Sequence, residues 1–223
     1  MDSSTAKTRM KELGSFWAKH GPAILAYGLV PVPSDSMGIG ANSYRACGKF
    51  VKREAGDKPL NKPENLFSGW VRERFKRYDL AGVNDFHSFH ERARKSLEAY
   101  WKKNTKMDIE IFPHACKLID LHMKHIVWHR RDISKATQAH FLNSAFQPLD
   151  RYSLLFLRQC GVKSEGKEIP KNASMGFVDS EDKYRHFQAS IREICQRANV
   201  PVFAFDHFAW NSGFSNESES YAP

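Results

Sequence analysis

An all-α fold is predicted for these 223 residues by three observations. Apolar side chains recur at spacings of three and four in successive segments, which places them on one helical face. Those segments start at Ser, Asp or Pro and stop at Gly, in the positions that helix ends favour. No segment alternates apolar and polar residues over a strand's length.

The elements follow in order. Residues 5–19 carry Met10, Leu13, Phe16 and Trp17 on one face of a helix. Residues 31–62, rich in Pro, Gly and Ser, read mainly as loop. Within them Met37-Gly38-Ile39-Gly40-Ala41 resembles a glycine-rich phosphate loop, yet it lacks the GK[ST] ending and follows no strand. Pro63 suits a first helical position, and Leu66, Phe67, Trp70, Val71 and Phe75 form the stripe of a unit that Gly82 ends. Asn84 or Asp85 caps the next helix, which reaches about Lys103 with Phe86, Phe89, Ala93, Leu97 and Trp101 inward. Further helices span residues 114–129 and 134–145.

Asp150 is the N-cap expected after Pro148-Leu149, and Gly161 stands where a C′ glycine belongs. Residues 162–179 read as a polar loop. Ser180 caps a helix to about Asn199, with Tyr184, Phe187, Ile191 and Ile194 on one face. Residues 201–210 are apolar and aromatic, and a disordered tail is expected over 212–223. The organisation predicted is one domain over 1–211, with a core at about 63–211.

Lys plus Arg number 34 and Asp plus Glu 25, so the net charge is +9. That excess favours a polyanionic partner, and plain solubility is the competing explanation. Residues 23–32, the longest kind of apolar run, are broken by Gly and Pro and fall short of a membrane span. The N-terminus lacks a signal peptide's apolar core, so a cytoplasmic protein is expected. The four cysteines lie far apart with no CxxC pair, which argues for free thiols and against a zinc ribbon or iron–sulfur cluster.

His122, His125 and His129 share a helix face, with His114 about two turns earlier. Such spacing suits zinc, but Lys124, Arg130 and Arg131 in the same stretch oppose a cation. A basic face that touches phosphate explains these residues equally well, so neither metal nor cofactor is expected.

Lys117 and Asp150 form a sharper pair. Lys117 is expected in the first turn of a helix, after the break at Phe112-Pro113-His114, and an amine at a helix's positive end holds its proton less tightly. A lysine so placed is a candidate nucleophile. A carboxylate facing the same cleft stabilises developing positive charge or activates a nucleophile by taking a proton. The plain alternative is a solvent-exposed lysine and an ordinary cap.

The wording around the pair adds weight. Lys117-Leu118-Ile119-Asp120-Leu121-His122-Met123 is followed 33 residues after Lys117 by Asp150 in Pro148-Leu149-Asp150. Lys124 stands seven residues after Lys117, and Asp206 and Trp210 stand four apart near the C-terminus. Over about residues 63–211 this pattern resembles the helix-hairpin-helix DNA glycosylase superfamily, and most of all its archaeal 8-oxoguanine DNA glycosylase branch. The resemblance implies a helical glycosylase-like fold with a DNA-binding cleft. It implies Lys117 and Asp150 as catalytic residues and Trp70, Asp206 and Trp210 as the base pocket, with core packing as the plain alternative for both tryptophans. The usual Leu-Pro-Gly-x-Gly hairpin is absent, and Ile111-Phe112-Pro113-His114-Ala115-Cys116 stands in its place. His114 or Lys124 would then substitute by charge for the missing backbone contact to phosphate.

The function expected from the resemblance is excision of a base from double-stranded DNA by a monomer. A base inside a duplex is shielded, so the nucleotide must be extruded into a pocket. His114, Lys124, His125, Arg130, Arg131 and Lys135 are the candidates for holding the DNA backbone. The implied chemistry is attack by Lys117 on the sugar, with strand nicking at the abasic site as a possible sequel. The base is either an oxidised guanine, which means repair, or a hypermodified base of phage DNA, which means defence. A non-catalytic helical DNA-binding protein is the alternative, and a helical interaction protein without a nucleic-acid role is a third class.

Overall fold

The computed structural model describes residues 3–27, 37, 39, 41–47, 62–105, 112–129 and 133–216. Nine α-helices carry almost all their regular structure: α1 (Ser3–Tyr27), α2 (Ala41–Cys47), α3 (Pro63–Glu73), α4 (Phe86–Thr105), α5 (Phe112–His129), α6 (Lys135–Ser144), α7 (Arg151–Gln159), α8 (Glu181–Arg197) and α9 (Ala204–Asn216). The fold class is therefore all-α. Among the described residues, no helix is long and apolar enough to cross a membrane.

Where the sequence leads one to expect a single domain over 1–211, the contacts cluster into two compact units. The first unit is Met1–Leu29 with Leu142–Pro223, and the second is Val30–Phe141.

In the first unit α7 packs chiefly on α9, α1 lies against α9, and α8 touches the other three helices. Its core is Leu13 of α1, Leu154, Phe156 and Leu157 of α7, Phe187 and Ile191 of α8, and Phe203 and Phe205 about the start of α9. Phe156 meets both Phe205 and Phe208 with ring centroids 5.0 Å apart. The inward face expected for α8, Tyr184, Phe187, Ile191 and Ile194, is buried.

Helix α7 is bounded as the sequence predicts. The Asp150 side chain accepts from the amides of Tyr152 and Ser153 at 3.0 and 3.2 Å. At the other end Gly161 takes φ +84°, Gly161 N–H reaches Arg158 O, and Val162 N–H reaches Leu157 O. That is a complete Schellman ending, which an L side chain at the left-handed position would strain. Ahead of Asp150, the Gln147 amide donates to Gln188 Oε1 at 2.9 Å and Gln188 Nε2 donates to Gln147 O at 2.8 Å. Both glutamines are buried, so this reciprocal pair ties the turn before α7 to α8.

Four sequence expectations need correcting. Helix α1 runs on through Gly21-Pro22 to Tyr27, although Pro22 removes one backbone donor. Ile24 lies beyond that proline and is buried, which offsets the loss. Within the expected loop 31–62, residues 41–47 form α2, because Tyr44 and Cys47 are buried three residues apart on one face. The polar loop 162–179 contains a hairpin, β1 (Lys163–Ser164) with β2 (Lys167–Glu168), turned by Glu165 and Gly166 at φ +52° and +76°. Arg158 pins it by donating to Ile169 O at 2.5 Å and pairing with Glu168 at 2.9 Å. The tail expected to be disordered from 212 is helical to Asn216, as the last turns of α9.

In the second unit α3, α4, α5 and α2 pack about an aromatic core of Tyr44, Phe67, Trp70, Phe75, Phe89 and Trp101. The stripe expected for α4 is buried in full. Asp85 caps α4 through the His87 amide at 3.0 Å and the Ser88 hydroxyl. His90 of α4 and Asp120 of α5 form a buried pair at 2.8 Å. Of the glycine-rich stretch, Ile39 is a buried core side chain, and Met37 at φ +55° offers its carbonyl to His122 Nδ1–H at 3.0 Å. Gly38 and Gly40 lie outside the described residues.

Candidate functional site

Three of the sequence-predicted site residues meet in the first unit. Packing of α9 against α7 brings Trp210 to the cap of α7, where its indole Nε1–H donates to Asp150 Oδ2 at 3.0 Å. One turn earlier on α9, the Asp206 carboxylate accepts from the Ser153 hydroxyl at 3.4 Å. The single Ser153 hydroxyl proton is shared with Pro148 O, the nearer acceptor at 2.8 Å, so Ser153 braces the turn that carries Asp150.

The cluster is graded in depth. Asp206 is 4% exposed, Asp150 is 8% exposed and Trp210 is 40% exposed. Tyr152 adds a second ring, its centroid 5.0 Å from that of Trp210 and tilted by 55°. The result is a half-open aromatic surface beside two sheltered carboxylates. One of them, Asp150, accepts an N–H on each oxygen. A carboxylate held on both oxygens is fixed in direction about its terminal bond.

The sequence pattern singled out Asp150, Asp206 and Trp210, but it did not select Tyr152 or Ser153. A signal for both was present. The second and third residues after an Asp N-cap carry the amides that the cap receives, so their side chains stand beside it.

The remaining predicted residues belong to the second unit. Trp70 is 0% exposed, packed against Phe67 at 5.4 Å and Phe75 at 5.2 Å, with its Nε1–H on Ser96 Oγ at 3.2 Å. Its ring is closed in by core aromatics, so this placement makes it a packing residue rather than a stacking platform. Lys117 is half-buried on α5. Because α5 begins at Phe112, Lys117 stands in the second turn, beyond the first turn where the helix dipole acts most strongly. The segment expected to hold a divergent hairpin is helical from Phe112, with Pro113 in the first turn, where its missing N–H has no helical partner to lose.

Among the expected phosphate contacts, His114 is 5% exposed and Lys124 is 8% exposed. His125 is half-buried, with its ring stacked 6.2 Å from that of His122. Lys135, the first residue of α6, is exposed. Arg130 and Arg131 lie outside the described residues.

The cysteines are free and buried, as their spacing suggested. Burial pushes the Cys160 thiol up to about 12, and burial likewise raises Cys195. Neither thiol is a nucleophile in the folded state. A groove of about 740 Å³ runs along α1 in the same unit, lined by residues such as Met10, Gly14, Lys7 and Arg197, and none of the predicted site residues lines it.

In comparisons with known proteins, no family model, no curated protein and no solved structure matches the chain.

Proposed function

We propose that this chain is a DNA glycosylase that extrudes and excises a damaged or hypermodified base, with Lys117 as nucleophile and Asp150 as the stabilising carboxylate. The observation that carries the reading is the arrangement about Asp150. A catalytic carboxylate must be charged, fixed in direction and next to a surface that receives a flat base. Asp150 is fixed by two backbone amides and an indole N–H, and the half-exposed Trp210 supplies the surface. Asp206, sheltered one turn away, accepts a hydrogen bond from a ring N–H or exocyclic amine of the base. The net charge of +9 suits a duplex partner.

In the proposed reaction the Lys117 amine attacks C1′ as the bond from C1′ to the base breaks. The base leaves with the bonding electrons and takes up a proton. Asp150 stabilises the positive charge that builds on the sugar in the transition state. Opening of the sugar gives a Schiff base on Lys117, from which β-elimination nicks the strand.

Borohydride trapping tests this directly. The protein is incubated with an oxidised-guanine duplex and, separately, with glucosylated hydroxymethylcytosine phage DNA. The expected results are abasic sites on one substrate, a covalent adduct with the wild type, and no adduct with Lys117→Ala. An undiminished adduct in that variant overturns the role of Lys117. The substrate that yields abasic sites decides between repair and phage defence.

One observation favours a second reading. The contacts of Asp150 Oδ1 are those of an ordinary helix cap, and a helical DNA-binding protein without catalysis needs nothing more of it. Salt-dependent DNA binding with no base released from either substrate selects that reading.

A further inference from the structure

We infer that Trp210 is a positioning residue for Asp150 as well as a stacking surface, so that seating of the base and alignment of the carboxylate run through one indole ring. This rests on the glycosylase reading for its catalytic meaning and on geometry for the contact itself.

The two oxygens of Asp150 are held differently. Oδ1 belongs to α7, whose Tyr152 and Ser153 amides reach it at 3.0 and 3.2 Å. Oδ2 is held from α9, through Trp210 Nε1–H at 3.0 Å. The first hold is local and persists as long as α7 is formed. The second depends on where α9 sets the indole, and the indole is 40% exposed. Its N–H edge is committed to the carboxylate while part of its ring remains open. Tyr152, with its centroid 5.0 Å away, limits the ring's tilt from one side.

A base that stacks on Trp210 therefore also bears on the group that orients Asp150. A base that stacks poorly leaves the indole loosely placed and the carboxylate less well aimed. Selectivity then arises in the chemical step as well as in binding.

The test separates the ring from its N–H. Trp210→Phe keeps an aromatic face and removes the donor, whereas Trp210→Leu removes both. A hydrogen bond to a charged group corresponds to roughly 10- to 100-fold in rate. Trp210→Phe is expected to slow single-turnover excision by that amount, with affinity for lesion DNA within about threefold. Trp210→Leu is expected to show the same slowing and, in addition, affinity weakened by about tenfold or more. Wild-type single-turnover rates in Trp210→Phe overturn the positioning role.

A second measurement needs no activity. In a proton–nitrogen NMR spectrum, the indole N–H resonance of Trp210 is expected to move in Asp150→Asn. There the cap oxygen can be kept, while an amide donor faces the indole donor. The Trp70 indole, held by Ser96, serves as the internal control. An unmoved Trp210 resonance overturns the contact, whatever the protein excises. A resonance that responds while the wild type excises no base leaves the contact standing and overturns the glycosylase reading, and the coupling with it.

Discussion

Asp150 serves as a helix cap and as the acceptor of an indole N–H through opposite oxygens of one carboxyl group, and single substitutions separate these tasks. Asp150→Ala removes the cap and is expected to lower stability by about 1 kcal/mol. Asp150→Asn keeps an acceptor for the Tyr152 and Ser153 amides, loses only the acceptor for the Trp210 indole, and is expected to be destabilised less than Asp150→Ala. Urea unfolding of the two variants checks this, and equal destabilisation would mean that the charge matters more than the cap. If Asp150 is also catalytic, the more stable Asn variant still loses excision. Trp70 illustrates the limit of legibility at this scale. A pocket tryptophan and a core tryptophan look alike in sequence, and only its packing against Phe67 and Phe75 assigns it to the core.

Helix ends were legible because capping is local. Asp85, Ser134, Asp150 and Ser180 each bind an amide two or three residues ahead, within the reach of a short sequence pattern. Helix α4 has a pH dependence of definite sign. The hydrogen bond from the Ser88 hydroxyl, above all, holds the Asp85 carboxyl below its ordinary value. Its contribution to folding is thus complete above the unfolded-chain value near 3.8 and is lost as pH falls through the lower folded value. Exchange of the His87 and Ser88 amides is expected to speed up, relative to amides in mid-α4, as pH drops below 3.8. Amides with an unchanged ratio would contradict the assigned cap. The extension of α1 past Pro22 and the formation of α9 were not legible. Burial of Ile24 in one case, and of Phe203, Phe205 and Ala209 in the other, outweighs weak local signals.

The chain as a whole folds its N-terminal helix with the segment from Leu142 on, a pairing across more than a hundred intervening residues that no local pattern announces. Cys160 and Cys195 report on that unit. Their thiols are raised by burial, Cys160 to about 12, so a thiol reagent at about pH 8 is expected to modify them only when the unit opens. Their modification rate should rise with urea in step with loss of helicity, and rapid labelling without denaturant would show that the unit is not closed. By itself the sequence determined the helical class, most helix boundaries, the inward faces of α4 and α8, and the candidacy of Asp150, Asp206 and Trp210. Each of those depends on residues a few positions apart or on a spacing already in the chain. Tertiary structure alone decided that Trp70 is core, that α1 joins α7, α8 and α9, and that the Trp210 indole reaches the Asp150 cap. Those outcomes depend on which buried faces find each other in space, where side chains distant in sequence compete for the same apolar volume.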